Sequence, residues 1–121
     1  MLARLGAGGR LTLSERVLLG RAAEGPGRWT GTTRVEVAGR PLLHTTVDLG
    51  PGAPAWLPPV APRAYASTVH IGSPADVLTG DDAVRLPLPG GWVTTAWGAE
   101  LHRVVRAAAA LTPGADGRAT A

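Results

Sequence analysis

Cysteine is absent from this chain, as are lysine, asparagine, glutamine and phenylalanine. The lack of cysteine excludes disulfide bonds, thiolate metal sites and a cysteine nucleophile, and it is compatible with a reducing cytosol. No run approaches the ~20 apolar residues that a membrane-spanning helix needs. The opening residues, MLARLGAGGRLTL, lack the continuous apolar region of a signal peptide. We therefore expect a cytoplasmic protein with no membrane association.

Positive side-chain charge comes from arginine alone. The twelve arginines bring the formal net charge to +3, and they are scattered singly along the sequence. Proteins that bind nucleic acid concentrate positive charge on one patch or stripe, so we expect no nucleic-acid partner. The 121 residues fit one domain, which we place at residues 1–111, followed by a disordered tail at residues 112–121.

Apolar residues alternate with a period of two over much of the chain, which is typical of β-strands. The pattern predicts strands at Leu11–Leu19, Thr30–Ala38, Leu42–Leu49, Ala64–Gly72, Val84–Leu88 and Trp92–Trp97. Helical spacing predicts one long helix, Glu100–Leu111. Ser73–Asp76 resembles the start of a short helical turn. We therefore expect a mainly β fold of antiparallel hairpins with a single C-terminal helix.

Residues that could form a reaction centre do not cluster in the sequence. None of the three serines lies in a Gly-x-Ser-x-Gly elbow, and no His-x-His or HExxH spacing is present. His44 and Asp48 share a strand face but stand ~13 Å apart along an extended strand, too far to bind one ion. His70 alternates out of phase with Val69, so we expect it to be exposed. We predict no catalytic residue, no metal ligand and no tightly bound cofactor.

Glu15 is the unusual residue of the first predicted strand. It interrupts the apolar row that runs from Leu11 to Leu19, and burying a carboxylate is costly unless it is paired, hydrogen-bonded or in contact with water. Two interpretations are open. In one, Glu15 faces an internal wet channel or a partner; in the other, it is exposed or forms a salt bridge, for which Arg21 is suitably placed. We also expect this strand to leave an unpaired edge or an exposed apolar face.

The order of motifs resembles the UreD (UreH) family of urease accessory proteins. SERVLLGR (Ser14–Arg21) matches a strand ending in Leu-Gly-Arg, and Glu24 matches a glutamate in the loop that follows. RVEVAGRPLLHTTVDLG (Arg34–Gly50) matches a Gly-x-Pro-Leu-Leu turn between two strands. The resemblance extends over Leu5–Leu111 and corresponds to the C-terminal half of the usual family length.

The resemblance implies a β-helix-like or sandwich-like stack of strands and a non-enzymatic chaperone. Such a protein acts with UreF and UreG in nickel insertion into apo-urease. It implies transient passage of Ni2+ rather than a tight site, and we regard Glu15, Arg21 and Glu24 as candidate contacts for partners or for the ion. The alternatives are a small β-rich protein- or ligand-binding module unrelated to urease, an enzyme with a dispersed active site, and a truncated non-functional fragment.

Overall fold

The computed structural model describes residues 1–19, 27–52 and 62–113. These residues form eight strands and one helix. In chain order the elements are β1 (Leu2–Leu5), β2 (Leu11–Leu18), β3 (Trp29–Val37), β4 (Arg40–Leu49), β5 (Ala64–Ile71), β6 (Leu78–Gly80), β7 (Ala83–Leu88), β8 (Gly91–Gly98) and α1 (Leu101–Ala110). No helix in these three ranges is long and apolar enough to cross a membrane.

The strands form two sheets. The smaller sheet has the order β1-β3-β4, and the larger has the order β2-β5-β8-β7-β6. Strand β1 pairs with β3 in parallel, whereas the other described pairs are antiparallel. Mainly antiparallel strands followed by a C-terminal helix confirm the predicted fold class, and the stack is of the sandwich-like kind.

The first hydrophobic core lies between the two sheets. Val35 of β3 is fully buried and clusters with Val69 and Ile71 of β5. The two-residue period of β5 explains this arrangement, because side chains two residues apart project from the same face of a sheet. Strand β2 contributes Leu11 and Leu13 to the same cluster. The alternation read in the sequence therefore marks the side of the larger sheet that packs on the smaller one.

The second core lies on the opposite face of the larger sheet, under α1. Ala64, Ala66 and Ala96 are buried there against Val104 and other residues of the helix. The strands contribute mostly alanine to this core, and the larger side chains come from the helix and the residue that follows it. The structure thus has three layers: the smaller sheet, the larger sheet and α1.

The hairpin of β3 and β4 confirms the prediction from the sequence. Ala38 and Gly39 both have positive φ, at 52° and 78°, as a two-residue turn of the mirror-image type requires. Val35 pairs with Leu43 and Glu36 pairs with Pro41, so a bulge follows the turn. Pro41 is tolerated because β4 is an edge strand of its sheet.

Two sequence predictions are wrong. The segment Ser73–Asp76 is not a helical turn; it is an irregular connection whose Asp76 carbonyl accepts a hydrogen bond from the Arg85 side chain at 2.9 Å. His70 does face away from Val69, but it is half-buried on the helix side rather than exposed. The short strands β1 and β6 were not predicted at all.

Strand β2 is the outermost strand of the larger sheet, where it pairs with β5 on one side. Among the described strands none pairs with its other side, so the predicted unpaired edge is confirmed there. Most of the predicted tail, residues 114–121, lies outside the described residues, and the division into domain and tail stays a prediction.

A polar cleft between the two sheets as the candidate site

Glu15 lies in the middle of β2 and projects from the face that packs on the smaller sheet. It pairs in register with Ser67 of β5, and Ser67 in turn pairs with Thr95 of β8. Paired residues of antiparallel strands project from the same face. The carboxylate therefore begins a row of three oxygen-bearing side chains that runs across the larger sheet.

These residues line a cleft of about 280 Å³ between the two sheets. The smaller sheet contributes Thr33 and Thr45, which pair with each other across β3 and β4. The oxygen-bearing side chains of the cleft come from six residues of the two sheets: Glu15, Thr33, Thr45, Tyr65, Ser67 and Thr95. Apolar residues complete the lining, including Val69 of the first core. The lining of the cleft is thus mixed, with the oxygen-bearing side chains set among residues of the first core.

Tyr65 connects this cleft to the smaller sheet. Its ring lies 6.1 Å from the ring of Trp29, measured between centroids. Burial raises the pKa of the Tyr65 hydroxyl, hydrogen bonding to Ser67 and Thr95 opposes that shift, and the negative charge of Glu15 adds to it. The phenol is therefore a neutral group at physiological pH, and it can donate a hydrogen bond into the cleft.

The structure bears on the two interpretations of Glu15. The side chain is half-buried rather than exposed, and within the three described ranges it has neither an ion pair nor a hydrogen bond of its own. This placement fits a carboxylate that faces a cleft. Arg21 and Glu24 lie outside the described residues, so their roles, including a salt bridge from Arg21 to Glu15, stay predictions.

A second polar groove lies on the helix side of the larger sheet, and it was not foreseen from the sequence. It measures about 490 Å³ between β2, β5 and the C-terminal half of α1. The Thr12 hydroxyl is 2.8 Å from His70 Nδ1, and the His70 ring stacks on Trp92 with 5.2 Å between centroids. The sequence signal was the set of polar residues at the alternate positions of β2 and β5.

The described histidines and acids do not form a reaction centre. His70 contacts Thr12, and His102 lies 3.4 Å from Glu100; no serine joins a histidine and a carboxylate in the part of the chain that is described. That part also holds no group of three or more histidine, aspartate or glutamate side chains suited to a metal ion. The cleft offers a single carboxylate among hydroxyl groups, which favours weak and reversible contacts over tight chelation.

Asp48, one of the acids weighed from the sequence, has a structural role. It accepts hydrogen bonds from Arg28 at 2.7 Å and 3.1 Å and from the Thr30 hydroxyl at 3.0 Å. The hydrogen bonds from Arg28 lower the pKa of the Asp48 carboxyl. The Asp48 carboxylate links the start of β3 to the end of β4, and its oxygen atoms already accept hydrogen bonds from Arg28 and Thr30.

Fold and cleft together define a small two-sheet β protein with a covering helix and, between its sheets, a cleft that holds one carboxylate and several hydroxyl groups among apolar residues. The chain is similar to two urease accessory proteins UreD. It is 48% identical over 50 residues to that of Streptomyces coelicolor and 43% identical over 47 residues to that of Streptomyces avermitilis. The matches cover 41% and 39% of this chain.

The matched segments span only about a fifth of the two relatives, 20% and 19% of their lengths. No family model matches the chain. The measured similarity is thus shorter than the Leu5–Leu111 span over which the motifs resemble the family. It supports a link to urease accessory proteins over about two fifths of the chain.

Proposed function

We propose that this chain is a UreD-type urease accessory protein, a non-enzymatic chaperone that helps to insert nickel into apo-urease. The observation that carries the proposal is the identity of 43–48% with two UreD proteins over about two fifths of the chain. The ordered motifs Ser14–Arg21 and Arg34–Gly50 support it. In this proposal the protein works in the cytoplasm in a complex with UreF and UreG.

The polar cleft suits transient passage of Ni2+, the cargo of such a complex. Glu15 supplies one negative charge beside the hydroxyl groups of Ser67, Thr95 and Tyr65. Oxygen ligands of this kind bind a divalent cation weakly compared with a cluster of carboxylates or imidazoles. A carrier must release its ion, so a weak series of contacts serves transfer better than a tight site.

Strand β2 gives the complex a place to dock. Its outer edge presents backbone N–H and C=O groups that pair with no described strand, and such an edge accepts an added strand from another protein. Glu15 lies on this same strand, so a docked partner would lie beside the mouth of the cleft. Arg21 and Glu24 follow β2 in the sequence and are proposed as further contacts for the partner or the ion.

Co-expression with UreF, UreG and apo-urease tests the proposal. The chain is expected to co-purify with UreF and UreG and to raise the nickel content of urease. Glu15→Gln should lower the nickel content while the complex persists, because this change removes the charge and keeps the shape. Glu100→Gln, at the exposed N-cap of α1, is the matched control and should have no effect.

Three results would contradict the proposal. Failure of a folded sample to bind either UreF or UreG would favour a β-rich binding module unrelated to urease. Binding without any gain in urease nickel would favour a truncated, non-functional fragment. Equal loss of urease nickel with Glu15→Gln and Glu100→Gln would contradict the proposal that Ni2+ passes through the cleft.

A further inference from the structure

A separate pocket lies at the end of the sandwich where four turns meet. These turns join β1 to β2, β3 to β4, β5 to β6 and β7 to β8. They are held together by backbone hydrogen bonds, from Ala38 N to the Leu5 carbonyl at 2.8 Å and from Gly72 N to the Gly90 carbonyl at 2.9 Å. The pocket measures about 670 Å³, within the range of small-molecule sites.

The floor of this end pocket is apolar. Val37, Leu42 and Ile71 line it, and all three belong to the hydrophobic cluster between the sheets. Ile71 is only 5% exposed, so the pocket opens directly onto the end of the first core. An apolar group that enters it would be removed from water against side chains that are already fixed by packing.

The charged residues of the pocket are two exposed arginines. Arg10 and Arg40 both line it, and no aspartate or glutamate is among its lining residues. Within residues 1–19, 27–52 and 62–113, neither arginine has an ion pair or a side-chain hydrogen bond. Arginine is suited to hold a carboxylate, because its planar group presents parallel N–H donors.

Gly72 packs against the aliphatic stem of Arg10. A β-carbon at this residue would lie 2.9 Å from Arg10 Cγ and 3.4 Å from Arg10 Cβ, and the φ of Gly72 is +134°. The aliphatic stem of Arg10 therefore lies directly on the backbone of Gly72, in space that any other residue would occupy. This packing restrains the stem of an otherwise exposed side chain, and such restraint before binding lowers the cost of ordering it.

We propose that the end pocket binds a carboxylate carried on an apolar body. The apolar part rests on Val37, Leu42 and Ile71, while the carboxylate accepts hydrogen bonds from Arg10 and Arg40. The two arginines and the lack of acidic lining residues favour an anionic ligand over a neutral or cationic one. This site is independent of the polar cleft and of the proposed role in urease maturation.

Octanoate is the probe for this site. Titration of the isotope-labelled full chain should produce saturable shifts in the amide signals of Gly8, Gly9 and Gly90, which line the pocket. Octanol and octyltrimethylammonium should bind more weakly. Because the contact involves exposed charges, the affinity for octanoate should fall as salt is added. This salt series needs no variant, so it tests the proposal even where a substitution disturbs folding.

The arginine variants test the charged contact. Arg10→Met and Arg40→Met keep an aliphatic stem and remove the charge, and each should weaken octanoate binding about 2- to 5-fold, the range for exposed ion pairs. Arg34→Met is the matched control, since Arg34 is exposed on β3 and does not line the pocket. It should bind octanoate as the parent chain does.

A second comparison distinguishes two sources of the carboxylate: a polypeptide C-terminus and a small organic acid. A short acetylated peptide ending in leucine, with a free or an amidated C-terminus, is titrated beside octanoate. Tighter binding of the free-acid peptide assigns the pocket to a polypeptide C-terminus, and tighter binding of octanoate assigns it to a free carboxylate. Absence of saturable shifts, equal binding of octanol, or equal weakening by Arg34→Met would overturn the proposal.

Discussion

Replacing Glu15 by leucine should stabilise the protein. The position lies in the apolar row of β2, faces a cleft of about 280 Å³ and contributes no described ion pair that the change would break. Full burial of a leucine side chain contributes roughly 1.5–3 kcal/mol. The position is only partly buried and area-based figures are upper bounds, so we expect a gain of about 1 kcal/mol.

Thermal and urea unfolding measure this gain. For a chain of this size, 1 kcal/mol corresponds to a rise in Tm of about 3–5 °C. Glu15→Gln serves as the control, because it removes the charge without adding apolar area, and its effect should stay within about 0.5 kcal/mol. The leucine variant should also lose nickel transfer in the co-expression assay, so that stability and function change in opposite directions.

A lower free energy of unfolding for Glu15→Leu than for the parent chain would contradict this prediction. Such a result would mean that the carboxylate is held by a favourable contact and that the cleft does not leave it free. A loss with Glu15→Gln as well would identify charge as the source of that contact. The interpretation of Glu15 as a salt-bridged residue would then replace the interpretation that its carboxylate faces the cleft.

Three further predictions concern other parts of the fold. Tyr65 is the single tyrosine of the chain, so a phenolate absorbance titration should show a midpoint above 10.0 in the native state; stability should decline as pH rises beyond that value. Asp48→Asn should lower the free energy of unfolding near neutral pH. The contact with Arg28 lowers the pKa of Asp48 below its ordinary value of 3.8, so the difference in stability between variant and parent should vanish as the pH falls through that lowered pKa. Ala38→Asn should raise stability by about 0.5–1 kcal/mol in urea unfolding, since it places the favoured Asn-Gly pair in a turn with two positive φ angles.

Each of these predictions has a contradicting result. A tyrosine midpoint at or below 10.0 would mean that the phenol is not buried against β8. A pH-independent effect of Asp48→Asn would separate its cost from the pair with Arg28. A loss of stability with Ala38→Asn, with Ala38→Gly as the control, would show that the turn differs from the mirror-image type.

The candidate site was visible from the sequence in one residue only. Glu15 stood out because it broke an apolar row within a single strand. Ser67, Thr95, Thr33 and Thr45 gave no signal, since hydroxyl residues are ordinary on strands. Pairing of β2 with β5 and of β5 with β8 brings two of them to the carboxylate. Their contribution depends on register, which no local pattern contains.

The sequence by itself determined the elements whose signal is local. The alternation of β2, the turn at Ala38 and Gly39 and the helical spacing of α1 each lie within a short stretch, where side-chain period and backbone preference act directly. These features also established the mainly β class. The tail beyond residue 113 and the roles of Arg21 and Glu24 stay predictions from the sequence.

Tertiary structure alone decided what depends on segments far apart in the chain. Strand β1 has four residues and becomes a strand by pairing in parallel with β3. The faces of β5 are both covered, one by the smaller sheet and one by α1, which is why His70 is half-buried despite its predicted exposure. The end pocket joins residues near 9, 40, 71 and 90. Local sequence preferences cannot encode these long-range contacts, because the contacts form only when distant strands pair in register and bury a shared core.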